Sequence, residues 1–216
     1  MISPEAVYSD LKKHYGWQQW WPAETDFEIM VGAILTQGTS WSNVEKAINS
    51  LKCAHALDLE IINEMPRDHL SQLIYSAGFH NVKSARLKSL SRYLLANFKG
   101  KIEALKRLPT GTARSHLLAI DGIGPETADA ILLYALGKSV FIVDAYTKRL
   151  FTRLGYSVDQ DSYENWQTSL VSQMHKATYT FQQYHALIVE HSKARCKSRP
   201  ICISCPLESH CAYPSK

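Results

Sequence analysis

The sequence predicts an all-α fold, and three observations lead there. Apolar residues recur at intervals of three and four along nearly the whole chain, the period of a helix buried on one face. Helix starts and stops are marked by capping residues, prolines and glycines that bracket those periodic stretches. Only residues 139–143 read as a strand, and that stretch is short and alone. At 216 residues and 45% hydrophobic, the chain can bury one sizeable core or two smaller ones, which excludes a disordered tail.

Thr25-Asp26-Phe27-Glu28 forms a capping box ahead of Met30, Val31, Ile34 and Leu35, so a buried helix is expected to run to about Leu35. Ser42-Asn43-Val44-Glu45 repeats the device before Ala47, Ile48 and Leu51, and Cys53 at that helix's apolar end reads as an inert core thiol. Pro66 opens a segment with Leu70, Leu73 and Ile74 that stops at Gly78. A longer one from about Val82 carries Leu87, Leu90, Leu94 and Phe98 to Gly100. Pro125 begins a helix through Ala128, Ile131, Leu132 and Ala135 with Gly137 as terminator, the usual placement of proline first and glycine last. Further helices are expected from Asp144 to the Gly155 stop, over 163–174 and over 181–191. No internal repeat or low-complexity linker interrupts them.

A formal charge of +4 is mildly basic, which allows a nucleic-acid partner without requiring one. The C-terminal end is locally more basic, with Lys193, Arg195, Lys197, Arg199 and Lys216 against Glu208 alone. The N-terminus, Met1-Ile2-Ser3-Pro4-Glu5, lacks a basic leader with an apolar core behind it, and the longest apolar run, 130–136, is too short to span a bilayer. The expectation is a soluble cytoplasmic protein with no membrane partner.

Two features carry chemistry. The glycine hairpin Gly122-Ile123-Gly124 sits between two apolar-periodic segments, an arrangement that presents bare backbone N–H groups at a helix N-terminus, where a phosphate is held without regard to base. Asp144 follows twenty residues after the second glycine. An acidic residue beside a gripped phosphodiester chain needs a structural or a chemical reason. Helix capping supplies the first, and since a cap uses one carboxylate oxygen, the other stays available for the second. Near the C-terminus Cys196, Cys202, Cys205 and Cys211 crowd into sixteen residues with gaps of five, two and five. Four thiolates so placed suit tetrahedral zinc or a 4Fe-4S cube, and spacing does not choose between them.

The run Leu118-Ala119-Ile120-Asp121-Gly122-Ile123-Gly124-Pro125-Glu126-Thr127-Ala128, then Val143-Asp144, then the four cysteines, resembles the endonuclease III superfamily of DNA base-excision glycosylases, over nearly everything from about Trp20 to Cys211. The resemblance implies two helical lobes flanking a DNA-binding cleft. The first is 20–108 with a helix-hairpin-helix region, 109–137, completing it; the second is 1–19 and 138–216. It implies that the quartet holds a 4Fe-4S cluster in a loop over 196–211, and that Asp144 breaks the bond between base and sugar. One departure keeps zinc as the alternative: the family's first gap is six residues, and here it is five with Pro200 inside it. A second departure is Glu126, at the position where bifunctional members carry a lysine nucleophile. A carboxylate cannot form a Schiff base, so strand-cleaving lyase activity is expected to be missing. Gly-Ile-Gly-x-Glu-x-Ala-Asp-Ala-Ile-Leu over 122–132, the Trp20-Trp21 pair and Leu35-Thr36-Gln37-Gly38-Thr39 are similar to the endonuclease III-like 3-methyladenine DNA glycosylases of bacteria.

On this reading the partner is double-stranded DNA containing a damaged base, the protein is a monomer, and it works at the nucleoid of a prokaryote. Asp144 stabilises positive charge on the sugar and orients or deprotonates water. Trp20, Trp21 and Trp41 bracket the first expected helix and offer aromatic faces to a cationic base, with Glu126 or Glu45 at its edge. The likeness makes Gln37 the residue that fills the gap left by the extruded base and Phe79 an apolar wedge. Backbone amides of Gly122 and Gly124 contact phosphate, with Lys83, Lys148 and Arg149 as further candidates. None of the nine histidines has a spacing that suggests a site. The rivals are a glycosylase for another lesion, such as uracil or thymine in a mismatch or an oxidised pyrimidine with strand cleavage through another lysine, and a non-catalytic helix-hairpin-helix DNA-binding module.

Overall fold

The computed structural model describes residues 2–174 and 178–213; Met1 of the N-terminal reading and Lys216 of the basic run lie outside the described residues. The helices are α1 (Pro4–Tyr15), α2 (Asp26–Leu35), α3 (Trp41–Cys53), α4 (Leu59–Glu64), α5 (Arg67–Leu73), α6 (His80–Phe98), α7 (Ile102–Arg107), α8 (Thr110–Leu118), α9 (Pro125–Ala130), α10 (Ala145–Arg153), α11 (Tyr163–Val171) and α12 (Thr178–Ala194). A π-helical turn, Ile131–Ala135, continues α9. The chain divides into two compact units, one of Ala23–Lys138 and one of Met1–Pro22 with Ser139–Lys216.

The unit of Ala23–Lys138 is built on α2, which is buried from Phe27 to Leu35 apart from half-buried Ile29 and packs against α3, α6, α9 and the π turn. Its N-cap is Thr25, whose side chain accepts the Glu28 amide at 3.1 Å. Glu28 does not close the box on Thr25; its carboxylate accepts the Glu24 amide at 3.0 Å and pairs with Lys52 at 2.9 Å. Helix α3 starts at Trp41 with Ser40 as its N-cap, so Ser42 is inside the first turn instead of capping it. Cys53 is exposed, which corrects the core thiol expected there: the helix turns its last residue outward. Helix α6 caps its neighbours with lysines. Lys83 Nζ donates to Leu35 O at 2.8 Å and Ala77 O at 2.7 Å, and Lys88 Nζ donates to Asn63 O at 2.7 Å and Met65 O at 2.6 Å, each satisfying carbonyls that a helix end leaves open. Burial pushes the Lys83 amine down to about 8. Lys83 is only 1% exposed, so the phosphate contact expected of it does not exist. Arg114 on α8 ties that helix to α9 by donating to Asp129 Oδ1 at 2.7 Å; Asp129 is fully buried.

The second unit joins both chain ends. Helix α1 packs on α12, and Tyr184 Oη donates to Pro4 O at 2.6 Å from a buried position. Gln183 accepts the Gln18 amide at 3.0 Å and donates back to Gln18 O at 2.7 Å. Among the described residues there is no strand, which corrects the reading of 139–143. Phe141, Ile142 and Val143 are each 1% exposed, and the Phe141 ring meets Phe181 and Tyr184 at 5.5 Å. Side chains, not a neighbouring strand, serve this backbone: Gln167 Nε2 donates to Phe141 O at 2.6 Å and the Val143 amide donates to Tyr163 Oη at 3.4 Å. The β-branched run reflects burial, which a strand and a buried linker share.

Replacing Asp129 with Ala removes the carboxylate of a largely buried ion pair and is expected to cost about 3 kcal/mol. In urea unfolding the midpoint should fall with the slope unchanged.

Candidate active site

The hairpin follows α8. Gly122 takes φ +86°, and a Cβ there would meet Arg86 Cγ at 2.3 Å, so both backbone and space demand glycine. Gly124 is the N-cap of α9, exposed, with nothing within 4 Å of where a Cβ would stand. Ile120 and Ile123, 3% and 5% exposed, pin the turn to the core. Glu126 is exposed in the first turn of α9.

Gln37 braces this hairpin. Its Nε2 donates to Thr127 Oγ1 at 2.9 Å and to Gly122 O at 3.2 Å, while its Oε1 accepts from the Arg86 guanidinium. Next to it, Phe79 Cε2 lies 3.7 Å from the position of a Gly38 Cβ. Phe79 takes φ +46°, a conformation unfavourable for a side chain of this size, and leaves its ring 71% exposed. The two residues that the sequence proposes for a base-sized gap are thus neighbours, although Gln37 already spends its amide on the hairpin.

Asp144 belongs to the other unit. It is the N-cap of α10 and its Oδ1 accepts the Thr147 amide at 2.7 Å. Its Oδ2 lies 3.5 Å from His185 Nε2 on α12, and the two side chains are 12% and 10% exposed. Burial works to raise the Asp144 carboxyl, but His185 and the Thr147 bond outweigh it and hold it below its ordinary value of 3.8. His185 is the functional candidate that sequence reasoning missed. It lies 41 positions from Asp144 between Tyr184 and the apolar Leu187 and Ile188, and no spacing announces such a pairing.

Trp20 and Trp21 are half-buried in this same unit, ring centroids 5.2 Å apart, with Lys193 Nζ 5.9 Å from the Trp20 centroid. Trp41 opens α3 in the other unit, half-buried, and Glu45 is exposed one turn on. Lys148 pairs with Asp161 at 2.8 Å, and its ammonium, with the Trp166 indole, holds the Asp161 carboxyl below the usual range. Arg149 does not point a free guanidinium outward: its Nε donates to Cys196 O at 2.9 Å and it lies over the Tyr146 ring.

The four clustered cysteines are free thiols that line one small cavity together with Leu150, Leu154, His191 and Leu207. Arg153 donates to Cys196 Sγ at 3.1 Å and to Lys197 O at 2.7 Å, and Cys205 Sγ lies 3.9 Å from His191 Nε2. Burial pushes the Cys205 thiol up, and the three neighbouring cysteines add to the effect. Among the described residues, no three His, Cys, Asp or Glu side chains converge as the ligands of a single metal ion do.

Comparison with known proteins identifies the family and the fold. The sequence profile of the family described as "HhH-GPD superfamily base excision DNA repair protein" matches residues 31–174. A protein of Methanocaldococcus jannaschii, provisionally named a DNA repair glycosylase, is 44% identical over 207 residues, covering 95% of this chain and 94% of that one. Among solved structures, the 3-methyladenine DNA glycosylase of H. pylori bound to 1,N6-ethenoadenine superposes with a TM-score of 0.79 at 28% identity, over 89% of this chain and 98% of that one. A non-covalent endonuclease III–DNA complex shares the fold with a TM-score of 0.83 at 21% identity, over 98% and 96% of the two chains.

Because its folded-state value is depressed, Asp144 contributes stability that is present above its unfolded value of 3.8 and is lost as pH falls through the lower folded value. Asp144→Asn keeps an oxygen for the cap but removes this dependence, so its stability deficit in urea should stay constant from about pH 7 to about pH 5 and shrink as pH falls below about 4. Asp144→Ala also removes the cap and should cost a further ~1 kcal/mol.

Proposed function

Since the chain belongs to the HhH-GPD superfamily of base excision DNA repair proteins, and is a DNA glycosylase of that family, we propose that it is monofunctional and that it hydrolyses the N-glycosidic bond of alkylated purines of the 3-methyladenine type. The observation that carries this reading is the Asp144 carboxylate, held anionic at the head of α10 by the Thr147 amide and His185. Likeness to the H. pylori enzyme supports the substrate class. Glu126 in place of the lysine nucleophile supports hydrolysis without strand cleavage.

The substrate is double-stranded DNA with the damaged nucleotide turned out of the stack. Amides around Gly122 and Gly124 hold a phosphate of that strand, with open space above Gly124 to admit it. Phe79, already exposed and set beside Gly38, inserts at the vacated step. A 3-alkylated adenine is cationic, so it departs as a neutral base when the C1′–N bond breaks and needs no acid. Trp20 and Trp21 give it aromatic faces. The sugar is left positive, and Asp144 stabilises that charge while water adds to C1′. A carboxylate held below its ordinary range is a weak base. Its contribution is therefore electrostatic, and the water's proton passes to solvent.

Cys196, Cys202, Cys205 and Cys211 would hold a 4Fe-4S cluster. The four thiols line one cavity, and tetrahedral zinc is the alternative to the cluster. A cube distributes its four ligands over four irons, which suits thiols spread around one cavity. When bound, such a cluster staples the C-terminal loop and holds Lys193, Arg195, Lys197 and Arg199 near phosphates.

Duplexes each bearing one defined lesion should lose methylated purines without nicking. Release of uracil or thymine, or nicking of the strand, favours the rival glycosylases. Asp144→Asn should lower release by at least about a hundredfold, within the span by which electrostatic groups act, while duplex affinity changes by less than a few fold; unaltered release by that variant defeats the assignment. Purified protein should be brown and contain about four irons per chain. A colourless protein with one zinc overturns the cluster.

A further inference from the structure

The reaction rests on the negative charge of Asp144, and the fold sets one ionisable ring against it. His185 Nε2 stands 3.5 Å from Oδ2, while the Thr147 amide addresses Oδ1 at 2.7 Å. With side chains only 12% and 10% exposed, the pair is screened far less than a surface contact. Several other ionisable groups on α1, α10 and α12 have partners of their own. From α1, Tyr15 bonds His191 at 3.0 Å and Tyr8 packs on Tyr184. From α10, Lys148 pairs with Asp161, Arg149 bonds Cys196 O, and Arg153 bonds the cysteine loop. On α12 itself, Lys193 lies over Trp20, and Glu190 and His191 follow Asp144's partner by one turn or more. Asp144 presents a carboxylate oxygen to His185.

We propose that His185 is a positioning residue of the glycosylase reaction and that base release requires its neutral form. The inference rests on the function proposed above. A neutral imidazole donates Nε2–H to Oδ2, fixes the plane of the carboxylate and leaves its full charge to face the sugar. An imidazolium places a positive charge beside the same oxygen, cancels part of its field at C1′ and repels the cation forming there. Histidine is the side chain that changes charge between about pH 5 and 8. Release of a base that is already cationic makes no proton demand of its own, so an acid-side loss of rate reports on the protein.

The test is single-turnover release of methylated purines from alkylated genomic DNA between about pH 5 and 9, together with titration of the His185 ring nitrogens by NMR. Wild-type rate should fall about tenfold per pH unit on the acid side, with a midpoint matching the His185 titration. His185→Gln, which keeps a donor, should flatten that limb, with a rate at pH 8 lowered by no more than about tenfold. An active wild type whose acid limb survives His185→Gln overturns the inference alone, as does a rate that falls on the alkaline side with the His185 midpoint. If His185→Gln fails to fold, a wild-type limb that does not coincide with the His185 titration overturns it. A wild-type protein that releases no purine at any pH overturns the proposed function and this inference with it.

Discussion

The bond from the Thr147 amide to Asp144 is the constraint from which the rest of the site follows. A helix leaves its first amides without partners, and a carboxylate at the cap satisfies one of them while gaining from the dipole. That requirement places Asp144 at the head of α10, fixes one of its oxygens and keeps it ionised. Structure and the proposed chemistry therefore ask for the same residue at the same place. The cap orients a group whose second oxygen remains to act, with His185 at its edge.

The other unit shows a parallel economy around the hairpin. Gln37 gathers the carbonyl of Gly122, the hydroxyl of Thr127 and the guanidinium of Arg86 into one set of hydrogen bonds. Arg114 and Asp129 join the helices on either side of the turn. Together they give a short loop with little apolar surface a fixed shape, so its amides can meet a phosphate without first being ordered. Lys83, which cost desolvation to bury, caps α2 just before Gln37 and fixes where that loop begins.

Most of the fold was legible because its signals are local. Thr25, Pro125, Gly137, Asp144 and Gly155 each act within a turn of their own position, so α2, α9 and α10 fall where caps and breakers put them. Helix α1 carries the same marks, a Ser3 cap and Pro4 at its start, but its apolar face is only Val7 and Leu11 and periodicity does not single it out. Misreadings came where tertiary burial decides. Residues 139–143 look like a strand because buried linkers and strands favour the same side chains. Lys83 reads as a solvent-facing cation because nothing in its neighbours reveals the two carbonyls waiting for it. The hairpin, the aspartate and the cysteines stand out by spacing, whereas His185 reaches its partner only when α12 folds back on α10.

Helix α10 is tied at both ends. At its start stands the carboxylate; at its finish the Arg153 carbonyl accepts the Ala212 amide and the Cys211 thiol, while the Arg149 and Arg153 side chains grip the carbonyls of Cys196, Lys197 and Ser198. Nine residues make a rod about 13 Å long. The carboxylate at the head of that rod is thus braced through the cysteine loop at its foot, so a change of shape in the loop has a direct route along the helix to the cap.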